Sequence, residues 1–349
     1  MIGLIINPNS RKNKRRRGRV ARFQKVLGRH GRVVETPSVD AVIPALKSFA
    51  EEGRRYWIAD GGDGALHWMV NEAVRYFGAA RAAELAVYMP TGGGSVDFVA
   101  KHLGFDLDPQ ALVTRLVEHV STGREVPTRD VPSLWLRGRQ VQWGDESVDF
   151  RRIGFGTALA GYGANFFGPL YEGGKEYGAT RIAKLLGAAF GVAAVGSLFQ
   201  GPLRVVKPDA LRDAEHAFLR PLRAAVLVDA APLRAKDGSP VREHTVVHCA
   251  SLPLNLAGLL RVFPRAGNGR MHVHAGFVSP AEMARILPKL ATGGDLDAHL
   301  SRGYDGPART FDVICEPDQE MTPVIDGELF HRITELHVEC GPVFRMAVP

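Results

Sequence analysis

Cysteine is scarce in this sequence: three residues among 349, with no CxxC pair. An odd number of widely spaced cysteines (Cys249, Cys315 and Cys340) supports neither a disulfide framework nor a cysteine zinc site. The first residues, MIGLIINPNS, also lack the cationic segment and long apolar run of a secretory signal. We therefore expect a protein of the reducing cytoplasm.

Long apolar segments are missing as well. The longest window without a charged residue spans 19 positions, from Leu185 to Leu203, but it contains four glycines, a glutamine and a proline. A transmembrane helix needs about 20 predominantly apolar residues, and this composition interrupts such a run. We expect the window to form a buried or membrane-touching helix rather than a membrane span.

Charge is nearly balanced over the chain but is concentrated in one segment. Lys and Arg total 44 against 37 Asp and Glu, for a formal net charge of +7, and 45% of the residues are hydrophobic. This composition excludes fibrous and disordered classes, and the length suggests two domains of roughly 150 residues. Seven cations fall within nine residues that include no acid: Arg11, Lys12, Lys14, Arg15, Arg16, Arg17 and Arg19. The net charge of the chain is therefore local.

The N-terminal part alternates short apolar runs with helical patterns. Strand starts lie 24 to 30 residues apart, and the strands are predicted at 2–6, 32–35, 56–59 and 85–89. Each interval has room for one crossover helix, and apolar residues at helical spacing predict one over 65–77 that stops at Gly78. Repeated βα units imply a parallel sheet with helices on both faces and a ligand site at the carboxyl ends of the strands.

The remainder of the chain shows a different pattern. A polar, proline-containing stretch at 121–133 predicts a linker, and we divide the chain into domains at 1–125 and 126–349. Short β-like runs then cover 224–228, 245–249, 271–274, 311–315 and 336–340. They predict an antiparallel β domain with helical insertions near 180–200 and 280–290. The predicted fold class is α/β in the first domain, followed by this β-rich second domain.

The segment Asp60-Gly61-Gly62-Asp63-Gly64 joins the third predicted strand to its helix. Glycines let the backbone turn tightly and approach a ligand, and the amides of the next helical turn form an anion site. Asp63 would repel a phosphate there unless Mg²⁺ bridges the two or the carboxylate accepts a proton. The alternative is a tight turn in which Asp63 caps the helix. This loop alone does not decide between them.

Two other loops follow predicted strands. The fourth strand leads into Pro90-Thr91-Gly92-Gly93-Gly94-Ser95, and the first leads into Asn7-Pro8-Asn9-Ser10. Asn and Ser are common turn and cap residues, but loops after strands one, three and four can lie side by side in such a sheet. Together they would supply hydroxyls, amides and backbone N–H groups to one cleft, which favours a phosphate-bearing ligand. The phosphate-binding pattern GxxxxGK[ST] is absent.

Three segments follow one another as NPNS at 7–10, GGDGALHWMVNEAV at 61–74 and PTGGGSVDF at 90–98. In this order and spacing they resemble the N-terminal motifs of the diacylglycerol kinase catalytic domain family, which includes bacterial lipid kinases, sphingosine kinases and ceramide kinases. VIDGEL at 324–329 resembles the DGE motif of the family, and Gly161-Tyr-Gly163 resembles its glycine pair. GGDG alone is shared with NAD kinases and phosphofructokinases, whereas GGDG with a later DGE is fairly specific.

The resemblance implies a Rossmann-like N-terminal domain, a β-sandwich-like C-terminal domain that holds a lipid, and an ATP site in the cleft between them. It implies phosphorylation of a lipid hydroxyl, with ATP and Mg²⁺. Asp63 is then expected to be a catalytic or Mg²⁺-associated carboxylate, and Asp97 is a second candidate Mg²⁺ ligand. Asp326 and Glu328 form an acidic pair, one of which is the candidate general base. The expected nucleotide contacts are Asn7, Asn9, Ser10, Gly61, Gly62, Asp63, Gly64, Thr91, Gly92, Gly93, Gly94 and Ser95.

The sequence departs from the family pattern at several positions. Arg11 replaces a glycine, Ala65 replaces the threonine of GGDGT, and the third motif loses a threonine and an asparagine around Gly93. A neutral hydrogen bond contributes only about 0.5–1.5 kcal/mol, so weakened nucleotide binding is expected rather than none. Asn165 stands where many relatives carry an acid. An NAD kinase-like soluble-substrate kinase and a catalytically impaired lipid- or nucleotide-binding relative stay as alternatives.

The Asp326-Gly327 dipeptide, considered by itself, predicts a β-hairpin turn with solvated acids. His272 and His274 alternate along one predicted strand, and other histidines flank another. Without nearby Cys or a paired carboxylate, these histidines are expected to be structural or exposed rather than metal ligands.

The basic segment at residues 11–19 has three interpretations: a solvated helix face, a nucleic-acid contact, or a patch that meets ATP phosphates and anionic lipid headgroups. No aromatic residues or nucleic-acid motif accompany the cations. We therefore prefer the third, and expect a lipid substrate at an anionic membrane surface, peripheral membrane association and no nucleic acid. The identity of the lipid and the formation of a homodimer are left open by the sequence.

Overall fold

The computed structural model describes residues 1–14, 18–94, 96–165, 220–256 and 260–349, together with residues 187, 191, 195, 208 and 209. Two compact units are present: Met1–Ser133 with Gly341–Pro349, and Leu134–Cys340. Arg15, Arg16, Arg17 and Ser95, and nearly all of the predicted helical insertion near 180–200, lie outside the described residues.

The first unit contains a parallel sheet with helices. Its strands are β1 (Ile2–Ile6), β2 (Gly31–Glu35), β3 (Tyr56–Asp60) and β4 (Val87–Pro90). Its helices are α1 (Arg11–Lys14), α2 (Arg19–Leu27), α3 (Val42–Glu51), α4 (Asp63–Phe77), α5 (Ala79–Leu85), α6 (Phe98–His102) and α7 (Pro109–Ser121). The strand order is β2-β1-β3-β4 and the pairings are parallel, so β1, β3 and β4 are neighbours.

Hydrophobic side chains of this sheet are divided between its two faces, because neighbouring residues of a strand point in opposite directions. On one face, Leu4 and Ile58 join a core cluster with Phe23 of α2. On the other, the Trp57 ring centroid lies 6.3 Å from that of Phe49 in α3. All five side chains are buried, and burying each contributes about 1.5–3 kcal/mol. Burial on both faces explains why these strands are almost continuous apolar runs.

Within the described residues, the second unit contains three antiparallel sheets. Its strands, of which β5 begins and β19 ends in the first unit, are in chain order β5 (Thr128–Val141), β6 (Ser147–Gly154), β7 (Gly156–Gly161), β8 (Leu222–Val228), β9 (Ala231–Pro232), β10 (Glu243–His244), β11 (Val246–Ala250), β12 (Leu254–Leu256), β13 (Leu260–Val262), β14 (Met271–Phe277), β15 (Arg302–Ala308), β16 (Thr310–Cys315), β17 (Val324–Ile325), β18 (Glu328–Leu329) and β19 (Ile333–Ala347). One sheet includes the order β10-β8-β16-β19, the second has the order β15-β14-β11-β7-β17-β18, and the third consists of β12 and β13. Helix α8 (Pro280–Thr292) begins with a capping box formed by Ser279 and Glu282.

The last nine residues belong to the first unit. Met346 pairs in parallel with Tyr88 of β4, and the Phe344 ring packs edge-on against the Tyr88 ring at a centroid distance of 5.5 Å. The Val348 N–H donates a hydrogen bond to the Pro127 carbonyl at 2.8 Å. The sequence pattern gave no indication of this return of the chain.

The predicted fold class is confirmed, with a parallel N-terminal and an antiparallel C-terminal part. Strand β1 has the predicted bounds, and α4 ends at the predicted Gly78. The fourth strand starts later than predicted because Leu85 ends α5. The predicted linker at 121–133 was too long, since α7 includes Ser121 and β5 begins at Thr128. Among the described residues, no helix has both the length and the apolar character needed to span a membrane.

Candidate active site

Three loops of the first unit leave the sheet at one edge, after β1, β3 and β4. We call residues 7–10, 60–64 and 91–94 the loop cluster. The Asn7 N–H donates to the Asp60 carbonyl at 3.1 Å, and the Gly93 N–H donates to the Gly61 carbonyl at 2.6 Å. The loop after β3 therefore contacts both of the others, at the edge where parallel sheets bind ligands.

Glycines allow the backbones of the loop cluster to touch. A Cβ added at Gly62 would lie 2.6 Å from the Cα of Gly94, and one added at Gly93 would lie 2.9 Å from the carbonyl oxygen of Gly61. Gly92 has a φ of 69°, a conformation that residues with side chains rarely adopt. The result is bare backbone beside the first turn of α4, a surface suited to phosphate oxygens.

The two predicted metal-associated carboxylates lie at this cluster. Asp63 begins α4, and its carboxylate accepts hydrogen bonds from the N–H groups of Phe98 at 2.9 Å and Val99 at 3.2 Å, so it caps α6. Asp97 has a φ of 52° and accepts a hydrogen bond from the Gly94 N–H at 2.6 Å. Backbone amides thus orient both carboxylates at the loop cluster.

The loop after β1 is built on side-chain hydrogen bonds. Asn7 Oδ1 accepts from the Asn9 N–H at 2.9 Å, and Asn9 Nδ2 donates to the Pro37 carbonyl at 2.9 Å. Ser10 lies beside Gly61, where an added Cβ would be 3.6 Å from the Ser10 Cβ. Within the described residues, the buried Ser10 Oγ makes no hydrogen bond. Asn7 and Asn9 therefore shape the loop, whereas Ser10 offers a hydroxyl to a ligand.

Asp60 is a residue of this region to which the sequence pattern assigned no role. It ends β3, is fully buried, and accepts a hydrogen bond from Thr91 Oγ1 at 2.9 Å. The Arg19 guanidinium donates two further hydrogen bonds to the Asp60 carboxylate, one from Nε and one from Nη2, the latter at 2.6 Å. Thr91, a predicted nucleotide contact, thus donates its hydroxyl hydrogen to Asp60. Arg19, one cation of the basic segment, is neutralised by the same carboxylate. A charged residue at the end of a buried apolar strand was the sequence feature that could have identified Asp60.

The loop cluster fits the phosphates of a nucleotide with a bound Mg²⁺. It combines glycine backbone without side chains, the N-terminus of α4 and the Ser10 hydroxyl, which has no hydrogen-bond partner among the described residues. Carboxylate oxygens such as those of Asp63 and Asp97 are the ligands that Mg²⁺ prefers. Ala65 faces the same place, because a Cβ added at Gly61 would lie 2.5 Å from the Ala65 Cβ. A methyl group therefore stands where the related family carries a hydroxyl.

In the second unit, Asp326 and Gly327 form the two-residue turn between β17 and β18. Their φ angles of 50° and 84° are those of a hairpin turn with two left-handed residues. The Asp326 carboxylate is 5% exposed, and its Oδ1 accepts the N–H groups of Phe155 at 2.8 Å and Gly156 at 3.0 Å. The hairpin predicted from the dipeptide is therefore present, but Asp326 is not a solvated acid. Glu328 is half-buried on β18.

The glycine pair in the second unit makes close backbone packing possible. Gly161 has a φ of 72°, and an added Cβ would lie 1.9 Å from the Thr245 carbonyl oxygen. The Gly163 N–H donates a hydrogen bond to His248 Nε2 at 3.2 Å. Burial lowers the pKa of His248 to about 3, so this ring is neutral and serves as an acceptor.

His272, His274 and Asp305 form a buried cluster in the second unit, with potential ligand atoms within 4.8 Å of one another. Both histidine Nε2 atoms lie 2.9 Å from Asp305 Oδ1. However, the Nδ1 atom of His272 accepts the Arg265 N–H at 3.1 Å, which places the ring proton on Nε2. To bind a metal through Nε2, the nitrogen that faces Asp305, His272 would need its ring proton on Nδ1. Arg265 Nη2 also lies 2.6 Å from Asp305 Oδ2. Because His272 and Arg265 both hydrogen-bond to Asp305, we assign these three residues a structural role.

A buried neutral histidine predicts acid sensitivity of the fold. His244 is fully buried, and burial lowers its pKa from 6.5 to about 4. The unfolded chain binds this proton below pH 6.5, whereas the folded chain does not until about pH 4. The stability contribution is therefore complete above pH 6.5 and is lost as the pH falls toward 4, by up to about 1.4 kcal/mol per pH unit. Urea unfolding between pH 7.5 and 4 is expected to show this decrease.

The His244→Gln variant is expected to lose less stability than the wild-type protein over the same pH range, because glutamine does not titrate. His331, which is exposed, supplies the matched control, and His331→Gln is expected to follow the wild-type curve. An unchanged pH dependence in His244→Gln would contradict the assignment of this histidine as a buried neutral group.

Comparisons with known sequences identify the first unit. Residues 1–126 match the family model of the diacylglycerol kinase catalytic domain. The matched region includes the whole loop cluster and Asp97, which confirms the resemblance found in the sequence. No curated protein sequence is significantly similar to this chain.

Solved structures share the fold over nearly the full length of the chain. A candidate diacylglycerol kinase from Bacillus anthracis strain Sterne aligns with a TM-score of 0.61 at 13% identity, covering 99% of this chain and 96% of that chain. A structure described as a diacylglycerol kinase from the same organism aligns with a TM-score of 0.56 at 11% identity, covering 99% and 96%. At these identities the likeness shows a common fold.

Proposed function

We propose that this chain, whose residues 1–126 match the model of the diacylglycerol kinase catalytic domain family, is a lipid kinase that transfers the γ-phosphate of ATP to a lipid hydroxyl. The observation that carries the proposal is the loop cluster at the carboxyl edge of the parallel sheet. It combines glycine backbone without side chains, the Asp63 carboxylate and a Ser10 hydroxyl to which no residue in the described part of the chain hydrogen-bonds. These groups suit a triphosphate and its cation.

The nucleotide would be held by Ser10 and by the backbone of Gly61–Gly64, and the metal by Asp63 with Asp97. When bound, Mg²⁺ neutralises charge on the transferring phosphoryl group. The protein contributes position: the amides of α6 hold the Asp63 carboxylate in one orientation. Such preorganised groups supply most of the catalysis in phosphoryl transfer.

A carboxylate of the second unit would take the proton of the attacking lipid hydroxyl. Asp326 already accepts two backbone N–H groups on Oδ1, and these bonds hold its carboxylate against the neighbouring backbone. Glu328, two residues further along the chain and half-buried on β18, is the better candidate. We therefore assign Glu328 the general-base role and Asp326 the task of holding the hairpin against Phe155 and Gly156.

We also propose that the enzyme works at an anionic membrane surface. The segment 11–19 carries seven cations, of which Arg19 is neutralised by Asp60. Each remaining cation can contribute about 1 kcal/mol near an anionic surface. The basic residues of this segment would thus bring the chain to the lipid, and the interaction would weaken as salt increases.

Incubation with radiolabelled ATP and a mixed lipid extract, with and without Mg²⁺, tests the proposed function. Label is expected in a lipid only when Mg²⁺ is present, and more of it with anionic vesicles than with zwitterionic ones. Changing Arg15, Arg16 and Arg17 together to Gln is expected to remove that preference. Labelled NAD, when NAD is supplied, would instead indicate a soluble-substrate kinase. ATP binding without any labelled product would indicate a non-catalytic relative.

A further inference from the structure

Asp60 contacts every loop of the cluster. Its carbonyl oxygen accepts the Asn7 N–H from the loop after β1 at 3.1 Å. Its carboxylate accepts the Thr91 hydroxyl from the loop after β4 at 2.9 Å. Asp60 is also the first residue of the loop after β3. One fully buried residue therefore joins three loops that come from distant parts of the sequence.

The same carboxylate binds both ends of the segment between the β1 loop and α2. Asn13 Nδ2 donates to Asp60 Oδ2 at 3.1 Å, and it also lies 2.9 Å from the Asn7 carbonyl oxygen. Arg19 donates from two guanidinium nitrogens. Both partners are only 8% exposed, so water competes little for these bonds. Asn13 and Arg19, which flank this segment, are thus both hydrogen-bonded to Asp60.

Stability alone does not explain such a group. A buried ion pair is often no more stabilising than apolar residues of the same size, because both charges must be removed from water. What the pair does supply is a fixed orientation of the two side chains, because two hydrogen bonds between a guanidinium and a carboxylate form only in a narrow range of geometries. Asp60 fixes this orientation at the end of β3, directly before the glycine backbone proposed to bind phosphate.

We propose that Asp60, paired with Arg19, is a positioning residue of the nucleotide site, which holds the three loops in the arrangement that the ATP phosphates require. The proposal rests on the proposed function and deepens it. Asp60 acts through the loop cluster and not through contact with the nucleotide, because its carboxylate is enclosed by Arg19, Asn13 and Thr91.

Kinetics and amide hydrogen exchange of Asp60→Asn test the proposal. The KM for ATP is expected to rise about tenfold, the factor that corresponds to one lost charge-assisted hydrogen bond. Exchange at residues 7–10, 61–64 and 91–94 is expected to accelerate in all three segments together. Tyr88→Phe is the matched control. Tyr88 is equally buried in the same unit, and its hydroxyl donates to the Ala82 carbonyl at 2.8 Å, outside the loop cluster.

The double variant Asp60→Asn with Arg19→Met separates positioning from stability. It removes the unpaired buried cation, so its Tm is expected to recover relative to Asp60→Asn while the KM for ATP stays raised. Recovery of both quantities, or unchanged exchange in Asp60→Asn, would overturn the proposal. If Asp60→Asn does not fold, Thr91→Val replaces it. That variant lacks the hydrogen bond from Thr91 to Asp60. Faster exchange at residues 61–64 is then expected, and exchange at the wild-type rate would contradict the proposal.

The two proposals fail separately. A wild-type protein that neither binds ATP nor labels a lipid would overturn the proposed function, and the role of Asp60 at a nucleotide site would fall with it. The exchange measurement does not need activity. A catalytically active wild-type protein whose three loops exchange independently of Asp60 would overturn only the positioning role.

Discussion

Asp63→Asn is expected to lower lipid phosphorylation by about 10³-fold while the protein stays folded. Asparagine has the shape of aspartate and can still accept a hydrogen bond from the Phe98 or Val99 N–H. It lacks the negative charge with which Asp63 would bind the Mg²⁺ ion that accompanies ATP. Removing one preorganised electrostatic group from an active site typically lowers kcat by a factor of about 10²–10³. Loss of a carboxylate ligand to Mg²⁺ is an electrostatic loss of the same kind. Measurement of labelled lipid together with thermal unfolding checks both parts.

Asp108→Asn supplies the matched control for this variant. Asp108 also caps a helix of the same unit, since its carboxylate accepts the Gln110 N–H at 3.0 Å at the start of α7. Asparagine caps helices about as well as aspartate, so Asp108→Asn is expected to retain activity and stability. Full activity in Asp63→Asn would reduce Asp63 to the helix cap that the structure shows it to be.

Glu328→Gln and Asp326→Asn are expected to impair the protein in different ways. If Glu328 is the general base, its amide should lower kcat by about 10²–10⁴-fold with an unchanged free energy of unfolding. Asp326→Asn replaces a charged acceptor of two buried N–H groups, and hydrogen bonds to charged groups contribute about 1.5–3 kcal/mol each. We expect that variant to unfold at lower urea concentration. Urea titration and kcat measured on both variants separate the two roles.

Glu335→Gln is the control for this pair, because Glu335 is exposed on β19 of the same unit. It is expected to match the wild-type protein in both measurements. Wild-type kcat in Glu328→Gln would contradict the base assignment and would return Asp326 to consideration. Wild-type stability in Asp326→Asn would show that its two backbone contacts are dispensable.

The sheet edge that carries the site follows from local sequence. The run IGLII predicts a strand buried on both faces, and β1 has these bounds. Apolar spacing and Gly78 predict α4 and its end. Once repeated βα units are recognised, the parallel sheet places the loops after β1, β3 and β4 at one edge. Local pattern was therefore sufficient for the position of the loop cluster.

The contacts inside the cluster do not follow from local sequence. Arg19 and Asp60 are separated by 41 positions, and nothing in either neighbourhood indicates the other. Asp63 caps α6, a helix that begins 35 residues later. In the second unit, Asp326 binds backbone 170 residues earlier in the chain. Such long-range polar pairs depend on the packed fold, and periodicity does not reveal them.

The return of the chain end has a consequence for synthesis. Phe344 and Met346 are fully buried in the first unit, and Ala347 joins the core cluster that contains Ile2 and Leu4. These side chains leave the ribosome after the whole second unit, and domains usually fold as they emerge. The N-terminal unit must therefore wait with an incomplete core while the second unit is made. An isolated segment of residues 1–126 would keep that gap permanently, although it contains the complete family match.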